Sequence, residues 1–222
     1  MKIAIHQPNF LAWGGYFEKM READFFVILD DVQYSSGGYT NRVMFGNDKV
    51  DPFWFTIPVK KKFGQLICDV EISDYRQIHK KLENSIKLLY PNAYFDFEEL
   101  FEIEYFKLAD LNIDFILKAR KILGINTPLV YSSDIPKQGS KGDLILDIVQ
   151  YLGGDTYLSG GASNKYLDLE AFEKNGIKVE FTDYTQKFSN KTILYYIEKQ
   201  HEINGHEIRT ESKNTSIVSS HG

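Results

Sequence analysis

The chain of 222 residues holds a single cysteine, Cys68, so no disulfide can form within it. That fits a reducing, cytoplasmic compartment, where packing and not cross-links must hold the fold. Long apolar runs are missing too. Nothing approaches the length of a membrane span, and the charged-then-apolar start is too short for a secretory signal. Clustered basic charge is scarce: the net charge is −5, and Lys60-Lys61-Lys62, read as a solvated hairpin tip, is the one tight basic run. Nucleic-acid binding needs many grouped Lys and Arg to neutralise phosphates, so that class is set aside. No His-x-x-x-His or cysteine cluster supports a metal, and His6 stands alone until His79. Neither the G-x-x-x-x-G-K-[ST] loop nor the G-x-S-x-G elbow occurs, and there are no internal repeats.

Aromatic residues are plentiful, with 16 Phe, 14 Tyr and 2 Trp. Such a chain can build a sizeable core and still spare tyrosines for a polar pocket. Its organising stretch is the start, Lys2-Ile3-Ala4-Ile5-His6-Gln7-Pro8. The apolar triplet reads as a buried strand. Pro8 lacks the N–H needed to continue a ladder, so the strand stops near His6. Trp13-Gly14-Gly15 then allows a tight turn, Tyr16 to Ala23 has a helical pattern, and Asp24 to Asp31 reads as a second buried strand ending in two acids. This is a βαβ unit with reactive side chains at the strand ends.

The chain then changes character. Residues 34–72 read as a small antiparallel β insert, with strands at Phe53–Val59 and Leu66–Ile72. Residues 74–123 read as a helical subdomain: a helix from Ser73-Asp74 to about Tyr90, ended by Pro91, then helices at Asp96–Phe106 and Leu108–Leu123. Strand and helix alternate again at Leu129–Tyr131, Leu144–Leu152, Thr156–Ser159, Tyr166–Lys174 and Ile177–Phe181, with a last helix at Ile193–Ile203. The expected fold is therefore α/β: a mainly parallel sheet flanked by helices, in one domain over 1–208, with a polar, disordered tail at 209–222.

Among candidate site residues, His6 suits a general base, since imidazole titrates near neutrality and a strand end holds it firmly. A structural histidine bonded to a carbonyl is the alternative. Gln7 can hold a carbonyl or a sugar hydroxyl, or merely stabilise the turn. Asp31, beside Asp30, can orient an imidazole or sit in solvent. Tyr16, Asn41 and Arg42 are candidates for substrate contact, Arg42 as a bidentate clamp on phosphate or carboxylate. Lys141 and Asp143 open a helix whose free N–H groups suit an anion. Ser159, Gly160 and Gly161 form a strand-to-loop corner whose amides can cradle a phosphate or an oxyanion.

The ordered set His6-Gln7-Pro8-Asn9-Phe10, Trp13-Gly14-Gly15-Tyr16-Phe17, Ala23 to Tyr34, Asn41-Arg42, Trp54 to Val59, Tyr157 to Gly161, Tyr166-Leu167-Asp168 and Gly176 to Val179 resembles the WbqC-like family over residues 1–184. After Tyr184 the resemblance stops. It implies a protein of bacterial O-antigen or other amino-sugar pathways: a transferase placing an acyl or aminoacyl group on the amine of a nucleotide-linked sugar. Such chemistry implies a small-molecule sugar substrate and an activated donor, a coenzyme A or carrier-protein thioester, with an acyl-carrier protein as a partner. Two other readings stay open: a nucleotidyltransferase-like or adenylate-forming enzyme, and a non-catalytic protein that binds a sugar or a partner through its aromatics.

Overall fold

The computed structural model describes residues 1–139, 141–160 and 167–204. Its elements in chain order are β1 (Lys2–His6), α1 (Gly14–Glu22), β2 (Phe25–Ile28), β3 (Arg42–Phe45), β4 (Phe53–Thr56), β5 (Val59–Lys60), β6 (Glu71–Ile72), α2 (Tyr75–Leu89), α3 (Pro91–Phe97) and α4 (Leu108–Ile122). There follow β7 (Leu129–Tyr131), α5 (Gly142–Tyr151), β8 (Thr156–Gly160), α6 (Leu169–Lys174) and β9 (Lys178–Thr182). A helix over 193–204, α7, comes last among the described residues. The expected polar tail at 209–222 lies outside them.

Five parallel strands form the main sheet in the order β7-β2-β1-β8-β9. β1 lies at its centre, and Ile3, Ala4 and Ile5 are buried to 4% exposure or less. A central parallel strand needs both faces covered, and that is why this segment is an unbroken apolar run. Side chains of β1 alternate between two cores. Ala4 joins the core made with α1, α2, α3, α4 and α7, whereas Ile3 and Ile5 join the core made with α5 and α6. The fold is an α/β sheet flanked by helices, with β3-β4 and β5-β6 as two small antiparallel sheets at its side.

Local chemistry sets the helix ends. Asp74 accepts from the N–H of Gln77 at the start of α2, and Asp168 from that of Ala171 at the start of α6. Ile78, Leu82, Ile86 and Leu89 put one buried stripe on α2. Pro91 ends α2 and at once opens α3, as a residue without N–H can at a first helical position.

Three segments depart from the sequence-based expectation. The expected strand at Leu66–Ile72 is instead a 3-10 turn at Ile67–Asp69 followed by the short β6. Its amides go to distant carbonyls, Ile67 to Val32 and Cys68 to Asp30, so the segment crosses the end of β2 and does not lengthen a ladder. The run Phe53–Val59 breaks at Ile57-Pro58, where the Ile57 N–H bonds the carbonyl of Asn41. The expected helix at Asp96–Phe106 is replaced by α3 and a 3-10 segment at Glu98–Glu102, because Pro91 starts the helix earlier.

Candidate functional site

The strand order reverses direction between β1 and β8, the place where open α/β sheets bind ligands at their carboxyl ends. The two strands pair from Lys2↔Thr156 to Ala4↔Leu158 and then part. β1 keeps pairing with β2 through His6↔Ile28, while β8 follows β9 through Gly160↔Thr182. A cavity of about 610 Å³ opens in the split. The ends of β1, β8 and β9, the first turns of α1 and Ile145 of α5 wall it in.

Two basic side chains line it, His6 and Lys19. His6 ends β1, and its Nδ1 lies 3.1 Å from the carbonyl of Gln7. That bond favours the tautomer with the proton on Nδ1, leaving the Nε2 lone pair without a donor among the described residues. Burial and, after it, the Lys19 ammonium push the imidazole down to about 3, so it is uncharged at neutral pH. Tyr16 packs edge-on against it, with ring centroids 4.8 Å apart.

Lys19 is the second group. It is 5% exposed, and its Nζ donates to the carbonyl of Ile5 over 3.0 Å. The carbonyl of His6 already accepts from Leu29 on the β2 side. Because neighbouring carbonyls alternate, that of Ile5 faces β8, and the ammonium takes the rung the departing strand leaves. No carboxylate among the described residues pairs with Lys19, and burial pulls its amine down to about 7.

The remaining candidates divide. Gln7 and Gly160 line the cavity beside His6 and Tyr16, and the Gln7 Oε1 accepts from the Thr40 hydroxyl at 3.3 Å. Ser159 is fully buried in β8, its carbonyl taken by the Thr182 hydroxyl. Gly161 lies outside the described residues. Asp31 does not line the cavity: its carboxylate is held by the Ser132 hydroxyl and by Lys137, whose Nζ is 2.5 Å away. Asn41 donates to the carbonyl of Ile57, and Arg42 stacks on Trp54 with its guanidinium carbon 4.3 Å from the ring centroid. Neither lines the cavity. Lys141 precedes α5 with φ of 52°, and Asp143 sits in its first turn. Ile145, just beyond, is the α5 residue that reaches the cavity wall.

Residues 7–193 match the WbqC-like protein family, a span that includes every cavity wall except the end of β1. The chain belongs to the WbqC-like family. The match runs past Tyr184, where the resemblance in the sequence stops, and so takes in the segment that packs against α1. The chain is 29% identical over 195 residues to an uncharacterized protein, Rv1507c, of Mycobacterium tuberculosis (strain ATCC 25618 / H37Rv), with 82% of each chain covered. No solved structure matches it.

In this WbqC-like chain the residue that sequence reasoning missed is Lys19. The signal was present: Lys19 falls within the stripe Tyr16, Met20 and Ala23 on a short helix, where a surface lysine does not belong. The wall from Thr182 to Thr185 was missed as well, since only the parallel partner β8 brings the end of β9 to the same edge. No described helix is long and apolar enough to cross a membrane.

Proposed function

We propose that the protein is a transferase of bacterial cell-surface amino-sugar biosynthesis, which moves an acyl or aminoacyl group from a thioester to the amine of a nucleotide-linked sugar. The observation that carries this reading is His6: an uncharged imidazole whose Nε2 has no partner among the described residues, at the wall of the crevice where the strand order reverses. Membership of the WbqC-like family supports it.

In the reaction the sugar amine attacks the thioester carbonyl, the C–N bond forms, and His6 Nε2 takes the proton that the nitrogen sheds. The Gln7 amide stands at the cavity wall, beside Gly160, where it can hold the carbonyl oxygen as it becomes an oxyanion. Collapse breaks the C–S bond, and the imidazolium returns its proton to the departing thiolate. An imidazole held so low needs a neighbouring negative charge to carry the proton in transit, and the ligand's own anionic groups supply one. Arg42, Lys141, Asp143 and Asp31 take no part in these steps, because they stand outside the cavity.

The test is mass-spectrometric detection of the amide product from acyl thioesters and nucleotide amino sugars. Replacing His6 by Gln should lower turnover by about a hundredfold or more with the fold intact. Near-full activity in that variant removes the mechanism.

A second reading is nucleotidyl transfer or acyl-adenylate formation. The strand order favours it, since a crevice at such a reversal commonly takes a nucleotide. Release of pyrophosphate from ATP on addition of a carboxylic acid, without a thioester, would decide for it.

A further inference from the structure

We propose that Lys19 and Tyr16 form a subsite for the diphosphate of a nucleoside-linked ligand. This deepens the transferase reading and rests on its assignment of the β1–β8 cavity as the ligand site.

Lys19 is 5% exposed and has no carboxylate partner among the described residues, and of the three N–H donors of its ammonium one goes to the Ile5 carbonyl. A buried ammonium without a counter-ion is costly, so its charge is best explained by an anion that arrives with the ligand. Tyr16 adds a second, independent sign. It lines the same cavity, is 1% exposed, and its hydroxyl has no hydrogen-bond partner among the described residues. Buried hydroxyls are normally satisfied, so this orphan on a residue that lines the cavity is a donor that a bound ligand can take up. Residues 16 and 19 lie one turn apart on the same face of α1. Gly15, in the first turn of that helix, brings backbone to the cavity at the positive end of the dipole.

The acid that lines the cavity is Asp183, and its carboxylate already accepts from the Thr185 N–H and hydroxyl at 2.9 and 2.7 Å. The other titratable groups that line the cavity are His6, Tyr16, Tyr157 and Tyr184, and the Lys19 Nζ lies 5.8 Å from the centroid of the Tyr157 ring, a cation–π contact that leaves its remaining N–H donors without an anion. The cavity therefore pairs a buried positive charge with an unsatisfied hydroxyl beside the first turn of α1, a setting that suits the phosphates of the nucleotide-linked ligand that the transferase reading calls for. A nucleotide sugar and coenzyme A both present a diphosphate. The shared group is what the subsite recognises.

Isothermal titration at about pH 6.5 with UDP, coenzyme A, inorganic pyrophosphate and uridine tests this on the wild type, Lys19→Met and Tyr16→Phe. UDP or coenzyme A, whichever nucleoside fits, should bind the wild type, pyrophosphate more weakly, and uridine not measurably. Lys19→Met should weaken the diphosphate ligand at least about tenfold and Tyr16→Phe by several-fold. If Lys19→Met does not fold, titration of the wild type at about pH 8 in two buffers of different ionisation enthalpy replaces it. Binding should then draw a proton onto Lys19, whose amine sits at about 7 when free. Equal binding in Lys19→Met, uridine binding as tight as UDP, no phosphate ligand bound by the wild type, or no proton uptake would each overturn the subsite. Diphosphate binding that depends on Lys19 in a protein with no acyl transfer supports the subsite and removes the transferase.

Discussion

The side-chain amide of Asn112, fully buried in α4, donates to the carbonyl of Pro8 over 2.8 Å. The same nitrogen donates to the carbonyl of Thr40 over 2.7 Å. One helix residue thus pins the turn just after His6 and Gln7 to the turn that precedes β3. Asn112→Ala would leave two buried carbonyls without partners, at a cost of about 2–4 kcal/mol. Urea unfolding should show that loss as a lower midpoint with an unchanged slope. The variant should also weaken ligand binding more than it slows a bound complex, because Gln7 loses its anchor.

Gly14 carries a steric prediction. A Cβ there would lie 2.1 Å from Cδ1 of Phe188, whose ring packs edge-on against Tyr196 at 5.1 Å. The ring is thus not free to swing away, and its segment, which continues from the cavity wall at Thr182–Thr185, would have to move. Gly14→Ala should cost about 1–3 kcal/mol through overpacking and should loosen nucleotide binding. A crystal structure or a thermal-shift titration of the variant checks both, and an unchanged affinity would detach this segment from the site.

Tyr90 closes the β3–β4 sheet onto α2 and α3. Its hydroxyl donates to the Gly46 carbonyl at 2.8 Å and accepts from the Gly46 N–H at 3.1 Å, and the residue is fully buried. Tyr90→Phe leaves both groups of Gly46 unsatisfied and should lower stability by about 1–3 kcal/mol without touching activity per folded molecule. Equal melting temperatures for the variant and the wild type would contradict the role assigned to this pair.

What the sequence disclosed was what local pattern determines. The apolar triplet Ile3-Ala4-Ile5 stopped by Pro8 placed His6 and Gln7 at a strand end, and the stripe of Ile78, Leu82 and Ile86 defined α2. What it concealed depends on chain-distant partners. Asp31 looked like a reactive strand end, yet Ser132 and Lys137, a hundred residues on, draw it away from the cavity. Arg42 followed a glycine-rich loop and looked like a clamp, but the antiparallel register sets it beside β4, where it lies over Trp54. Lys19 hid for the opposite reason. A lysine on a helix is read as surface, and only the parting of β1 from β8 creates a carbonyl for it to hold inside.

The partly buried imidazole and the buried amine of the cavity give stability a defined dependence on pH. Burial and the Lys19 ammonium lower His6 from an ordinary 6.5 to about 3 in the folded chain. Between those values the unfolded chain binds a proton that the folded chain does not, so stability falls as pH drops through 6.5. Lys19 acts with the same sign at higher pH. Burial lowers it from 10.5 to about 7, so the unfolded chain holds the extra proton over that interval and stability rises with pH across it. Each proton contributes a slope of at most about 1.4 kcal/mol per pH unit. Thermal melts of the wild type and Lys19→Met should therefore converge as pH rises from about 7 to 10, with the variant the more stable at the lower end. His6→Gln should melt less steeply with acid than the wild type between about pH 6 and 4. Parallel melting curves over both intervals would mean that these two side chains are solvated in the folded protein, and the cavity would lose the electrostatic character on which ligand capture depends.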